Sequence, residues 1–255
     1  MKNSKFAKLH MNDIKIIDVE ETTSTNSFLK DYRGEEGELF TIVCANNQTA
    51  GRGQGGSCWE SEAGKNLTFS VKFYPKNLIA SRQFILLEAG ALAVKDCLKA
   101  FTGGLTIKWP NDVYWHEKKI SGTLSECSIK GKYIEYCIFG IGININQTQF
   151  LSDAPNPISL AQIKGHDIDK RQVLNLFLMQ LRKYINMVNE GCHSYIDKLY
   201  FEAQYRKTGN NHNFQDANGT FKAGIDHIME NGHLVLKCAD GTTRAYAFKE
   251  VKYII

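Results

Sequence analysis

Apolar side chains fall in short β-prone runs along most of this chain and, at two places, at the three- and four-residue steps of a helix. Phe84, Leu87, Ala91, Val94, Leu98 and Phe101 make one apolar stripe, the pattern of a helix packed on a sheet. Val173, Leu176, Gln180, Leu181, Tyr184 and Val188 mark a second long helix ending near Gly191, and a shorter one is predicted over 194–204. Strands are predicted at 14–19, 39–45, 66–74, 105–108, 113–115, 120–128 and 133–145, the last two joined by the turn Lys130-Gly131-Lys132. The small polar cluster from Thr22 to Asn26 opens a helix over 27–32. Residues 46–65 differ: they are rich in glycine and lack apolar periodicity. A loop of that length inside a compact domain is functional or disordered.

After Tyr205 the texture changes. Short β-like pieces at 220–228, 233–238, 243–248 and 251–255 lie between or beside the turn dipeptides Asn218-Gly219, Asn231-Gly232 and Asp240-Gly241. This spacing predicts a small β-barrel and a boundary near residue 206, dividing the chain into 1–205 and 206–255.

Composition narrows the function classes. A chain of 255 residues, 43% hydrophobic, can bury a real core. Its net charge of +4, from 31 basic and 27 acidic side chains, is too small to imply nucleic-acid binding, although a basic pocket for a phosphate fits it. Seven cysteines at irregular spacings, with no CxxC, argue against a disulfide framework or a structural zinc site and fit a reducing cytoplasm. The N-terminus has no apolar signal-peptide core, and no run approaches the roughly 18 apolar residues of a membrane span.

Four stretches carry candidate chemistry. Gly51-Arg52-Gly53-Gln54-Gly55-Gly56 matches GxGxxG formally, but nothing after it reads as the helix that a dinucleotide site requires. The glycines could still bring backbone N–H groups close to an anion, with Arg52 as a cationic fork; a mobile surface loop is an equal alternative. Lys108-Trp109-Pro110-Asn111-Asp112 joins two strands. Asn111 and Asp112 are turn formers or ligands of a nucleotide, ribose or metal, and Trp109 reads as a packing residue. In Lys118-Lys119-Ile120-Ser121-Gly122, an exposed turn lysine is the commoner reading, while Gly122 inside a strand suggests close approach of a backbone or ligand. Gly140 and Gly142, in an apolar strand ending at Asn144, fit either a ligand lying on the sheet or a tight sheet–helix contact.

In this order, Ser24-Thr25-Asn26, Gln48, Gly51-Arg52-Gly53, Trp59, Lys108-Trp109-Pro110-Asn111-Asp112, Lys119-Ile120-Ser121-Gly122, Glu126 and Gly140-Ile141-Gly142-Ile143-Asn144 resemble the biotin–protein ligase family over most of residues 14–146. The resemblance implies an α+β fold: a mixed sheet with flanking helices, like class II aminoacyl-tRNA synthetases, followed by an SH3-like barrel. It implies ATP-dependent formation of biotinyl-5′-AMP and transfer of biotin to a lysine of a biotin carboxyl carrier protein, with Mg2+ as metal. By the same likeness Ser24, Thr25, Asn26 and Gln48, with Gly51, Arg52, Gly53, Gln54 and Gly122, would hold biotin. Lys119 would sit beside the biotin carboxylate and the α-phosphate, and Asn111, Asp112 and Asn144 on the nucleotide side, with Asp112 the candidate metal ligand. Arg52 and Lys119 are the expected catalytic cations, converging on one acyl–phosphate junction. Residues 147–160 could form a lid over adenine.

Two departures stand out. Where family members often carry further arginines after Gly-Arg-Gly, this chain has Gln54, Gly55 and Ser57. About 13 residues precede the first predicted strand, which leaves no room for a helix-turn-helix domain, so no DNA-binding function is expected. A monomer or homodimer without membrane association is expected. A lipoate or octanoyl ligase or transferase of the same fold is the nearest alternative; a nucleic-acid-binding regulator and a binding-only module are more distant ones.

Overall fold

The structure, a computed structural model, describes residues 14–33, 38–151, 156–209 and 211–254. The N-terminal segment 1–13 and part of the expected lid, 152–155, lie outside that set.

Seven strands form the first sheet: β1 (Ile14–Thr22), β2 (Phe40–Gln48), β3 (Leu67–Phe73), β4 (Leu105–Lys108), β5 (Asp112–Trp115), β6 (Lys118–Lys130) and β7 (Tyr133–Ile143). Their order is β1-β2-β3-β7-β6-β5-β4; β1 and β2 run parallel and every other pair is antiparallel, so the sheet is mixed. One face carries α2 (Phe84–Leu98), α4 (Lys170–Asn189) and α5 (His193–Glu202); the short α1 (Thr25–Asp31) packs on β2, β3 and β7.

Strand β3 shows how the sequence produces the two faces. Its seven residues, Leu-Thr-Phe-Ser-Val-Lys-Phe, are all buried. Successive side chains point to opposite faces. Leu67, Phe69, Val71 and Phe73 enter the main core, where Phe69 meets Phe177 of α4 edge-on at 5.1 Å. Thr68, Ser70 and Lys72 therefore face α1. There Lys72 Nζ donates to the carbonyls of Leu29 (3.3 Å) and Tyr32 (3.2 Å), filling two acceptors that the end of α1 leaves open.

Several boundaries differ from expectation. Helix α1 starts at Thr25, two residues earlier than the polar cluster suggested, and β1 continues to Thr22. A one-turn helix α3 (Leu160–Lys164), unpredicted because five residues are too few to show periodicity, is fixed by a Ser159–Gln162 capping box and ends at Gly165. Residues 46–65 are not structureless. Trp59 N donates to Gly51 O (3.0 Å) and Gly53 N to Ser57 O (2.6 Å), folding 51–59 into a tight hairpin with Gly55 and Gly56 at positive φ at its tip.

The second sheet holds β8 (His212–Asp216), β9 (Gly219–Ile228), β10 (Leu234–Cys238), β11 (Thr243–Tyr246) and β12 (Lys252–Tyr253), all antiparallel, in the order β11-β10-β9-β8-β12. Strand β8 was missed because its sequence is polar. Among the described residues no ladder joins β11 to β12, so the expected barrel is here a five-stranded antiparallel sheet. Trp109 and Tyr205 belong to this sheet's core rather than to the larger one. Trp109 Nε1 donates to Gly232 O (3.0 Å), so the indole is a packing residue that ties the two sheets together. Arg82 adds a polar tie, 3.2 Å from Asp197 of α5 and 3.0 Å from Glu230 in the β9–β10 connection. Beneath it, burial and the neighbouring Asp197 push the Glu88 carboxyl of α2 up to about 9. All seven cysteines are free thiols, and no helix among the described residues is long and apolar enough to cross a membrane.

Candidate active site

A cavity of about 630 Å³ runs from the start of α1, Gln48 and Phe69 over β7 and β6 to the β4–β5 turn and the last residues of the second sheet. Ser24, Thr25, Asn26, Gln48, Arg52, Gly53, Gln54, Asn111, Asp112, Lys119 and Gly122 all line it. Of the residues expected there, Gly51 and Asn144 do not. Gly51 instead makes room for the backbone of Trp59, whose oxygen would lie 2.7 Å from an added Cβ. Asn144 is buried and its Nδ2 donates to Ile158 O (3.1 Å), so it secures the segment leading to α3 rather than the cavity wall.

At the β2–β3 end the side chains form one connected network. Gln48 Oε1 accepts from Thr25 N (2.9 Å) and Thr25 Oγ1 (3.2 Å), which leaves its Nε2 end for the cavity. Ser70 Oγ lies 2.7 Å from Thr25 Oγ1 and 2.5 Å from Asn26 Oδ1; Asn26 Nδ2 in turn donates to Glu126 Oε2 (2.5 Å). Ser24 occupies the N-cap of α1 without making a side-chain cap bond, so its hydroxyl is not committed to its own helix. A buried polar cluster is held in one geometry when its members satisfy one another. Ser70 and Glu126 were not among the predicted site residues. The polar half of the alternation in β3, Thr68, Ser70 and Lys72, was the available signal for Ser70.

Two cations line the cavity as expected, but each is already paired. Arg52 holds Glu126 through two contacts (3.1 and 3.4 Å), and Lys119 Nζ sits 2.7 Å from Asp112 Oδ1 and 5.7 Å from the Trp59 ring centre. Both expected cations thus stand in one cavity, each beside a carboxylate. Gly122 explains itself here: an added Cβ would stand 3.1 Å from Asp112 Oδ1 and 3.4 Å from Lys119 Nζ. Gly142 and Gly140 also line the cavity, and each has a close side-chain neighbour. The Trp59 indole lies directly on Gly142 and the Asn26 amide on Gly140, so side chains from the hairpin and α1 occupy the space that the missing Cβ atoms leave. Trp59 Nε1 is enclosed there without a hydrogen-bond partner.

The far end of the cavity was not anticipated. Lys108 from β4 and Phe248, Lys249, Lys252 and Tyr253 from the second sheet all contribute. Lys249 Nζ donates to Gly55 O at the hairpin tip, so the second sheet touches the glycine loop directly. Burial lowers the Lys108 pKa, helped by Lys119 and Arg206 and opposed by Asp112. No cluster of three or more metal-ligating side chains occurs among the described residues.

Comparisons with known proteins agree with this geometry. Residues 18–144 match the model of the biotin/lipoate A/B protein ligase family. The bifunctional ligase/repressor BirA of Bacillus spizizenii is 32% identical over 214 residues, which cover 81% of this chain and 64% of that protein. A biotin–[acetyl-CoA-carboxylase] ligase of Paracoccus denitrificans is 34% identical over 164 residues, 61% of this chain and 66% of that one. The chain thus spans a little under two thirds of the length of these curated relatives. A biotin protein ligase from Aquifex aeolicus, solved in complex with biotin and ATP, has the same fold at a TM-score of 0.77 and 26% identity, covering 94% of this chain and 99% of that one.

Proposed function

The chain belongs to the biotin/lipoate A/B protein ligase family, and we propose on that premise that it activates biotin with ATP to biotinyl-5′-AMP and transfers the biotinyl group to a lysine of a biotin carboxyl carrier protein. The observation that carries this reading is a single cavity of about 630 Å³ with a hydrogen-bonding network at one end and Arg52, Lys119 and Asp112 along its wall, in a fold shared with a ligase solved with biotin and ATP.

In this reading Ser24, Thr25 and Gln48 hydrogen-bond the ureido ring, Asn26 is held in place by Ser70 and Glu126, and the backbone of 51–54 covers the ligand. The biotin carboxylate attacks the α-phosphorus of ATP. Two anions must meet, and Lys119, from the start of β6, stands between them with Arg52 stabilising the developing charge. The carrier lysine then attacks the mixed anhydride and AMP leaves. Asp112 and Asn111 would face the nucleotide. Magnesium usually binds through one or two carboxylates plus substrate phosphates, and the lone carboxylate of Asp112 fits that habit; the metal would neutralise phosphate charge. Residues 1–205 form the catalytic unit, and 206–255 an SH3-like module that walls its far end.

Incubation with ATP, magnesium and biotin, followed by mass detection of biotinyl-5′-AMP, tests the proposal. A parallel arm with lipoate or octanoate separates the same-fold alternative, and an adduct formed with lipoate but not with biotin would replace the biotin reading.

A further inference from the structure

Two of the free thiols are set face to face. Cys127 of β6 and Cys137 of β7 are direct partners in the antiparallel register, between the pairs Glu126–Ile138 and Ser128–Tyr136. The other cysteines in strands have no such neighbour: Cys44 faces Asp18 and Phe69, and Cys238 faces Ala223. Directly opposed residues of an antiparallel pair put their side chains on one face, with Cα atoms about 4.5 or 5.5 Å apart according to the hydrogen bonding of the pair. Either separation lies within the roughly 4.4–6.8 Å that a disulfide spans. Ser125 Oγ lies 3.4 Å from Cys137 Sγ and 3.9 Å from Cys127 Sγ, so both sulfurs converge on one hydroxyl. They differ in access. Cys137 belongs to the main core and is 0% exposed, whereas Cys127 is half-buried at its margin. The hydrogen bond from Cys137 lowers the Cys127 pKa, while burial raises that of Cys137 well above the usual thiol range. A reachable sulfur with more thiolate character thus stands against an enclosed one.

We propose that Cys127 and Cys137 form a peroxide-sensitive dithiol that closes to a cross-strand disulfide without unfolding the sheet. Cys127 gives up its proton and its sulfur attacks one oxygen of hydrogen peroxide. The O–O bond breaks, the departing hydroxide takes the proton and leaves as water, and Cys127 becomes a sulfenic acid. The Cys137 sulfur then attacks the Cys127 sulfur. The S–O bond breaks, and the hydroxyl leaves with the Cys137 proton as a second water. Two thiols are oxidised to one disulfide and one peroxide is reduced to two waters. A thiol reductant reverses the step by exchange at the Cys127 sulfur. The bond forms on the core side of the sheet. Glu126, between Ser125 and Cys127, turns to the other side, where it holds Asn26 and Arg52. Closure therefore fastens β6 to β7 behind the cavity wall without filling the cavity.

The test is titration of the native full chain with hydrogen peroxide, quenched with N-ethylmaleimide and mapped by mass spectrometry after proteolysis without reductant. The wild type should yield a peptide joining residues 127 and 137, lighter by two hydrogens and opened by dithiothreitol, with an unchanged circular dichroism spectrum. In Cys137→Ala, dimedone should trap a sulfenic acid on Cys127 about tenfold or more faster than on the buried Cys97 of the same molecule. Cys127→Ser should leave Cys137 unoxidised under conditions that convert the wild type. Cys58 and Cys192 are exposed and serve as internal controls for unassisted oxidation. If Cys127 proceeds to sulfinic acid without the cross-link, pairs with a different cysteine, or joins Cys137 only after urea has unfolded the chain, the proposal is overturned. The wild-type map decides this even if a core variant fails to fold.

Discussion

Glu126 holds a buried amide and an exposed cation at once, and replacing it separates their contributions. Its carboxylate accepts from Asn26 Nδ2 at 2.5 Å, and Asn26 is 2% exposed. It also pairs with Arg52 at 3.1 Å, but there both side chains are open to solvent, 45% and 38% exposed. An exposed pair contributes about 0–1 kcal/mol, whereas a buried donor left without an acceptor costs about 1–3 kcal/mol. Glu126→Ala should therefore lose about 2 kcal/mol, nearly all of it through Asn26. That corresponds to a fall in Tm of roughly 4–8 °C for a chain of this size. Arg52→Ala should lose less than about 1 kcal/mol. Glu126→Gln keeps an acceptor for Asn26 while releasing Arg52 from its ion pair, so its stability should stay close to that of the wild type. Urea denaturation of the three variants decides the matter. If Arg52→Ala is as unstable as Glu126→Ala, or if Glu126→Gln is no better than the alanine, then the hydrogen bond to the buried Asn26 amide is not what makes Glu126 stabilising.

Lys119→Ala should reduce adenylate formation by about a hundredfold or more with little change in Tm, since the pair it breaks with Asp112 is partly exposed; normal turnover measured by pyrophosphate exchange would remove Lys119 from the mechanism. Gly142→Ala drives a methyl group into the Trp59 indole, so the tryptophan emission should shift and biotin affinity drop by about tenfold or more; an unshifted spectrum would contradict the contact. Gln54 lines the cavity with an enclosed, unpartnered Oε1, and Gln54→Arg should slow adenylate release in stopped-flow by adding a cation to the loop; an unchanged rate counts against that. Glu88 links stability to pH. Its folded carboxyl titrates at about 9 rather than 4.5, so the native state keeps a proton that the unfolded chain has lost, and this group's contribution to stability falls as pH rises from 4.5 through about 9. Glu88→Gln should flatten that part of the curve in urea unfolding, and a retained slope would assign it to another group.

Much of the first sheet and both long helices were legible because burial imposes a period. The stripe from Phe84 to Phe101 and the alternation in Leu67–Phe73 mark residues turned to the main core, although α2 is buried nearly all round and β3 on both faces. The motif residues Arg52, Asn111, Asp112 and Lys119 could be placed together only through their resemblance to a family, since no local rule brings residues from three separate segments to one wall. The hairpin at 51–59 was illegible for a different reason: backbone bonds of Gly51 with Trp59 and of Gly53 with Ser57 hold it, and these leave no side-chain pattern. The contributions of Lys249 and Tyr253 come from the last strands and meet Gly55 and Lys108 only through the docking of one sheet on the other. Trp109 was correctly read as a packing residue, but which core it packs into is a property of that docking and not of its neighbours in sequence.

The carboxylates beside Arg52 and Lys119 change the electrostatic account of the site. At about 4 Å and an effective dielectric near 20, a bare cation offsets roughly 4 kcal/mol of the repulsion between two approaching anions. Asp112, 2.7 Å from Lys119, already draws on much of that field, so the lysine delivers its full effect only to a ligand that shifts the carboxylate or brings compensating positive charge. A magnesium ion arriving with the polyphosphate would do so at Asp112, and biotin alone would not. In the proposed reaction the pairing would therefore favour ATP-bound encounters, and it holds Lys119 against the wall beside Asp112 before the reacting groups meet.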